Sequence, residues 1–231
     1  EDVGNAFKLC IDMIESMLPP GDRLVFLEDD QSRFDMHIHK PQFEWMDEFF
    51  KATLPRSIAR LLMRKRGMRG RSGATGTKYK VDYTMQSGWP DTSVTDTAAN
   101  AAMKMHIHGI GRTWVAIVCG DDSVTVTTER EINRLGGFRG IQAKYTTLGM
   151  EVTGAVHTDP MDVEFCSGRF LPHGNTWVLM PKPGRLLAKL YWSLKKRGKD
   201  YESWVRAIGQ TLKCFGSYDP TYIALYDAMD E

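Results

Sequence analysis

Apolar positions at helical spacing alternate with short β-branched runs along the chain, which is the pattern of a mixed α and β domain. Residues 3–18 place Phe7, Ile11, Ile14 and Leu18 on one helical face before Pro19-Pro20-Gly21 stops it. Residues 23–29 are apolar in their middle and predict a buried strand running into the polar turn Asp30-Gln31-Ser32-Arg33. Phe43, Met46, Phe49 and Phe50 form one face of a helix over 41–54, and the Ala- and Met-rich residues 92–108 predict a buried helix. The clearest local signal is residues 113–128, two β-branched runs on either side of Gly120-Asp121-Asp122-Ser123. That is a hairpin with acids at its tip. A glycine-interrupted helix over 129–145, an extended segment over 148–156 and a second hairpin (163–170 and 176–180, around Pro172-His173-Gly174-Asn175) follow. Helical periodicity returns over 184–197 and 200–214.

Composition narrows the class without naming a partner. The 231 residues are 42% hydrophobic and 26% charged, enough for a substantial core and unlike disordered or fibrous chains. A formal charge of +1 means that any attraction for nucleic acid must come from local clustering. The four cysteines are far apart, so free thiols in a reducing compartment are expected. No apolar run approaches the roughly 20 residues that span a bilayer, and no signal peptide is evident. The chain starts at Glu1 without an initiator Met and reads as a segment of something longer.

One stretch departs from that neutral balance. Arg56 to Lys80 contains nine Arg or Lys residues and no Asp or Glu, with Gly67, Gly70, Gly73 and Gly76 in its second half. It reads as a basic helix followed by a pliant loop. A solvated face is one account of such a run; a surface for phosphates is the other, and the absence of interspersed acids favours it as strongly.

The acids carry the chemistry. Adjacent carboxylates in the turn Asp121-Asp122 repel one another unless a cation intervenes, and hard, oxygen-liganded Mg²⁺ is typically held by one or two carboxylates plus phosphates. Alone, such a turn reads as an ordinary solvated one. Asp30 at the end of a strand, with Asp35 beyond it, changes the weighing. If that strand pairs beside the 113–128 hairpin, Asp30 and Asp121 converge at the rim of one antiparallel sheet, where two ions about 3.5–4 Å apart can support in-line phosphoryl displacement.

In order, Asp30-Gln-Ser-Arg-Phe-Asp35, Ser87-Gly88 with Thr92, Gly120-Asp121-Asp122 and Phe165-Cys166-Ser167 resemble motifs A, B, C and E of viral RNA-dependent RNA polymerases. The wording is most similar to the tombusvirus and nodavirus-like positive-strand replicases. The resemblance covers roughly residues 22–180. It implies an α+β palm, a small antiparallel sheet near 23–30, 113–118, 123–128 and 150–156 backed by helices near 41–53, 92–108 and 129–145. Palm would occupy 1–55 and 87–180, a basic fingers insertion 56–86, and the start of a helical thumb 181–231.

The implied roles are specific. Asp30 and Asp121, supported by Asp122, would hold two Mg²⁺ or Mn²⁺ ions, and Asp35 would bond the ribose hydroxyls of the incoming nucleoside triphosphate. Ser87 and Gly88 would form a loop ahead of a helix with Thr92 on its first turn. Phe165, Cys166 and Ser167 would support the 3′ end of the growing RNA. Arg64, Lys65, Arg66, Arg69 and Arg71 are the candidates for template or product phosphates. RNA, nucleotides and the remainder of a viral replicase polypeptide are the implied partners, with no transmembrane segment in this chain. The implied location is the host cytoplasm, at membrane-associated replication sites.

The sequence departs from the family pattern in three places. The position of the usual ribose-reading Asn holds Asp96, which can accept but not donate a hydrogen bond when ionised, and the nearest Asn is Asn100, one helical turn on. The place of a Lys proposed as general acid holds His157, whose ordinary pKa suits that work at neutral pH, although a loop histidine without a role is the other account. No basic triphosphate-gripping segment precedes Asp30. Two other functions stay open on sequence: a reverse transcriptase or other palm polymerase, and a non-catalytic RNA-binding fragment. The pairs His37/His39 and His106/His108 make poor zinc sites, and Trp177, Trp192 and Trp204 are expected in the core.

Overall fold

The computed structural model describes residues 2–63, 67–190, 192, 201–216 and 218–230. Two units emerge, one of residues 9–165 and one of residues 166–230 together with residues 2–8. The helix α1 (Asp2–Ser16) therefore contributes to both.

Within the larger unit, β1 (Leu24–Gln31) follows α1 and leads through the short helix α2 (Phe34–His37) to α3 (Lys40–Thr53) and α4 (Arg56–Leu62). The start of α3 is fixed by a reciprocal pair of cap bonds between His39 and Gln42, with Pro41 in the first turn. The strands β2 (Gly67–Arg71) and β3 (Lys78–Asp82) pair with each other, and α5 (Thr92–His108) ends at Gly109, whose φ is +89°. Next come β4 (Trp114–Cys119), β5 (Asp122–Thr128), α6 (Glu129–Arg134), α7 (Gly137–Thr147) and β6 (Val152–His157). Gly136, at φ +86°, separates α6 from α7, which is the interruption that the glycines predict. A single 3₁₀ turn, Pro160–Asp162, precedes the two-residue strand β7 (Glu164–Phe165).

The central sheet has the order β4-β5-β1-β6, antiparallel at every pairing. Alternation along β1 sends Val25, Leu27, Asp29 and Gln31 into the interior, and Val25 and Leu27 join Met46, Phe50, Met103 and Ile141 of α3, α5 and α7 in one core. This is the sheet and the helical backing that the sequence predicts, and the fold is α+β.

The basic stretch departs from its sequence reading. Its second half is a hairpin, not a pliant loop, with Arg69 opposite Lys80 and Arg71 opposite Lys78. Glycine and lysine are poor strand formers, so local propensity hides it. Gly70 is the enabling residue: the Tyr79 ring lies across it, and a Cβ there would sit 2.2 Å from that ring.

The second unit holds β8 (Gly168–His173), β9 (Thr176–Pro181), α8 (Pro183–Leu187), α9 (Tyr201–Gly216) and α10 (Pro220–Asp230). Its core gathers Val178, Met180, Leu212 and Tyr222, and the Tyr222 hydroxyl donates to the Pro181 carbonyl at 2.7 Å. From the amino end, Phe7 stacks on Phe170 at 3.9 Å, and Asn5 accepts from the Trp177 amide at 3.3 Å. Trp192 is 81% exposed, so the expectation of a core tryptophan fails there, while Trp177 and Trp204 are partly buried. Arg64, Lys65 and Arg66 lie outside the described residues, as does most of the helical continuation expected to 197.

Candidate active site

The parity that buries Asp29 exposes Asp30. Asp29 lies opposite Ser123 of β5, so Asp30 stands at the level of Asp122, with opposed Cα atoms about 5 Å apart in such a ladder. Asp122 in turn faces Cys119 across the hairpin, leaving Gly120 and Asp121 as a two-residue turn. Gly120 takes φ +66°, a left-handed value that suits the first position of such a turn and disfavours a side chain there. Asp30 and Asp121 are both solvent-exposed, at the same end of neighbouring strands.

Beside that rim opens a cleft of about 650 Å³, lined among others by Asp35, Ser87, Gly88, Thr92, Asp96 and Asp121. Arg33, left-handed at φ 52°, starts α2 and swings the chain so that Asp35 reaches the cleft. Ser87 Oγ donates to the Asp35 carboxylate, and Thr92 Oγ1 donates to the Gln86 carbonyl at 2.8 Å, which ties the loop to the first turn of α5. A smaller cavity of about 320 Å³ between α3 and α5, lined by Trp45, Met103, His106 and Leu148, carries no carboxylate and lies away from these acids.

Asp96 is strongly altered by its surroundings. Burial, a hydrogen bond with Asp35 and the charges of Asp35, Asp121 and Asp91 together push its carboxyl up to about 8. At neutral pH it is a neutral acid. The sequence reading of a group that accepts only is thereby corrected, because a protonated carboxyl donates. Its Oδ1 is buried with no hydrogen-bond partner within the chain.

Behind the rim lies a polar network that the sequence reading missed. The Asp29 carboxylate accepts from Lys104 Nζ at 2.6 and 2.8 Å, from Ser123 Oγ at 2.6 Å and from the Tyr145 hydroxyl at 2.9 Å. Lys104 also donates to Thr125 Oγ1 at 3.0 Å, and both charged side chains are wholly buried. Burial draws the Lys104 ammonium below its ordinary value, against the pull of Asp29. One cation inside an Ala- and Met-rich helix was the available signal, since an unpaired buried Lys is costly.

The family model for viral RNA dependent RNA polymerase matches residues 25–227. The chain belongs to that family. It is an RNA-directed RNA polymerase, a nucleotidyltransferase whose substrates are RNA and nucleotides and whose family uses divalent metal ions. No curated protein matches the chain.

Measured against the polymerase motifs, the structure gathers Asp35, Ser87, Gly88, Thr92, Asp96 and Asp121 at one cleft, with Asp30 and Asp122 at the adjoining strand ends. Three candidates do not take the expected place. Asn100 is completely buried, with its amide bonded to the carbonyls of Gly120 (3.1 Å) and Asp121 (3.0 Å), so it cannot read a ribose. His157 is on β6 opposite Phe26, four residues along the ladder from the Asp30 end, about 13 Å away, and pairs with Glu28 at 3.2 Å. It cannot protonate a leaving group at the rim. Phe165 is 3% exposed and offers no ring to RNA. Cys166 and Ser167 both have positive φ, 48° and 63°, and Arg185 donates to Ser167 Oγ.

Among the described residues, no three His, Cys, Asp or Glu side chains form a ready-made metal site. The donor set nevertheless fits a hard divalent ion: exposed carboxylates at one rim, whose charges add to burial in raising the Asp96 carboxyl, with ligands left for water and phosphate. No helix among the described residues is long and apolar enough to cross a membrane.

Proposed function

We propose that the rim formed by Asp30, Asp121 and Asp122 is the catalytic centre for template-directed RNA synthesis. The observation that carries this reading is the β1–β5 register, which brings the two acidic stretches to one end of one sheet. The reaction is attack of a 3′-hydroxyl on the α-phosphorus of a nucleoside triphosphate. A bond from the 3′-oxygen to phosphorus forms, the bond to pyrophosphate breaks, and the hydroxyl proton passes to solvent while pyrophosphate departs. Two Mg²⁺ or Mn²⁺ ions held by Asp30 and Asp121, with Asp122 in support, would activate that hydroxyl and neutralise the pyrophosphate.

The chain itself positions the substrate. Asp35, held by Ser87, accepts from a ribose hydroxyl, while the neutral Asp96 carboxyl donates to the ribose or to Asp35. Asp96 thereby supplies the donor that an Asn would supply. Gly88 and Thr92 shape the loop below the sugar.

The 67–82 hairpin presents Arg69, Arg71, Lys78 and Lys80 on one face, because directly opposed residues of an antiparallel pair share a side. Lys80 also pairs with Asp82 at 3.0 Å, and RNA phosphates relieve the repulsion that remains among these opposed cations. Cys166 and Ser167 support the 3′ end of the product. A surrounding replicase polypeptide and a cytoplasmic, membrane-associated setting belong to the same proposal, and membership of the family supports them.

The test is Asp121→Ala in the polymerase that carries this chain. Incorporation should fall by roughly a thousandfold or more, while melting behaviour and RNA affinity stay as in the parent. Undiminished incorporation by a folded variant would remove the proposal. Extension with deoxynucleotides as readily as with ribonucleotides would favour a different palm polymerase.

A further inference from the structure

On α5, Thr97, Asn100 and Lys104 follow the spacing i, i+3, i+7 and share one helix face. All three reach the acidic strands. Thr97 Oγ1 accepts the Gly120 amide at 2.8 Å, and Asn100 Nδ2 donates to the carbonyls of both turn residues. Gln31 Nε2, from the residue after Asp30, donates to Asn100 Oδ1 at 2.8 Å. That bond fixes which end of the amide faces the turn. The peptide groups of the turn are thus held by a helix where an ordinary hairpin would leave them to water.

We infer that Asn100, assisted by Thr97 and oriented by Gln31, is the positioning residue for the acid turn: it fixes the Gly120 and Asp121 peptides so that the Asp121 carboxylate stands beside Asp30. This inference rests on the reading of that rim as the cation site. Its physical content is preorganisation. A two-residue turn at the free end of a hairpin can rock, and a displacement of about 1 Å at a reacting centre can cost on the order of a hundredfold in rate. One helix supplies both the cleft residues Thr92 and Asp96 and the bonds that seat the turn, so the nucleotide and the carboxylate are referred to a common rigid element.

Asn100→Ala and the nearly isosteric Thr97→Val test it by two routes. In the chain alone, amide exchange at Gly120 and the following residues should become about tenfold faster, with the β8–β9 amides unaffected. Free-ion measurements with Mn²⁺ should show weaker binding. In the polymerase, kcat should drop on the order of a hundredfold while KM for the nucleotide stays within about threefold. Preference for ribonucleotides should not move. Unchanged exchange at the turn in folded Thr97→Val and Asn100→Ala would overturn the inference. So would altered sugar preference with an unaltered metal response, which would return Asn100 to the ribose. The exchange measurement needs neither metal nor substrate, so its failure is separate from a failure of the Asp121→Ala test.

Discussion

Replacing Lys104 with Met removes the ammonium from the centre of the buried network and leaves a side chain of similar length. Asp29 would keep its bonds from Ser123 and Tyr145 but lose both bonds from Nζ, and Thr125 would lose a donor. Because both partners are fully buried, water cannot take over the charge. Breaking such a pair from one side costs about 3–5 kcal/mol, whereas replacing both partners together is often close to neutral. For a unit of this size the single variant should melt roughly 6–20 °C lower. Adding Asp29→Asn, which retains an acceptor for Ser123 and Tyr145, should recover most of that loss. Urea unfolding followed by far-UV circular dichroism and by tryptophan fluorescence would measure both. A Lys104→Met chain within about 1 kcal/mol of the parent, or a double variant no more stable than the single, would refute the assignment of the pair as a coupled buried unit.

Two further outcomes are expected. The folded chain keeps Asp96 protonated to about pH 8 whereas the unfolded chain ionises it near 4, so folding takes up a proton between those limits and stability falls as pH rises through them. Asp96→Asn should remove that part of the slope, so the variant gains on the parent between pH 5 and 8.5; parallel pH–stability curves would exclude the protonated acid. Replacing Arg69, Arg71, Lys78 and Lys80 with Ala should weaken RNA binding and flatten the dependence of log K on log salt concentration by roughly 3, at about 0.7 for each single-strand phosphate that the hairpin no longer neutralises. An unchanged salt slope in filter-binding or anisotropy titrations would take the hairpin out of the RNA path.

The central sheet was legible because β-branched runs and a glycine-acid turn are local signals, and the pairing of β1 with β5 followed from the need to bring two acidic stretches together. The 67–82 hairpin was not. Its strands are dominated by Gly, Arg and Lys, and the contact of Tyr79 with Gly70 exists only once they are paired. His157 was misplaced because a motif position fixes distance along the chain but not how far a strand runs from the rim. Asn100 matched a residue type without the burial that decides its role. Asp96 illustrates the limit in another way: its position was read from the motif, yet its proton depends first on burial and then on neighbouring carboxylates, both of which only folding supplies. Lys104 and Asp29 escaped notice because each looks ordinary until both are seen to be sealed from water.

Chain order and spatial membership part company at the amino end. The first turns of α1 belong with residues 166–230, where Phe7 supplies the ring against which Phe170 stacks. A fragment cut to begin at β1 would therefore lose a piece of its far carboxy-terminal unit, and its solubility or yield would report on a missing aromatic neighbour and not on the acidic rim. Anyone trimming this polypeptide for crystallisation or expression should keep the helix, however dispensable it looks from its distance to the motifs.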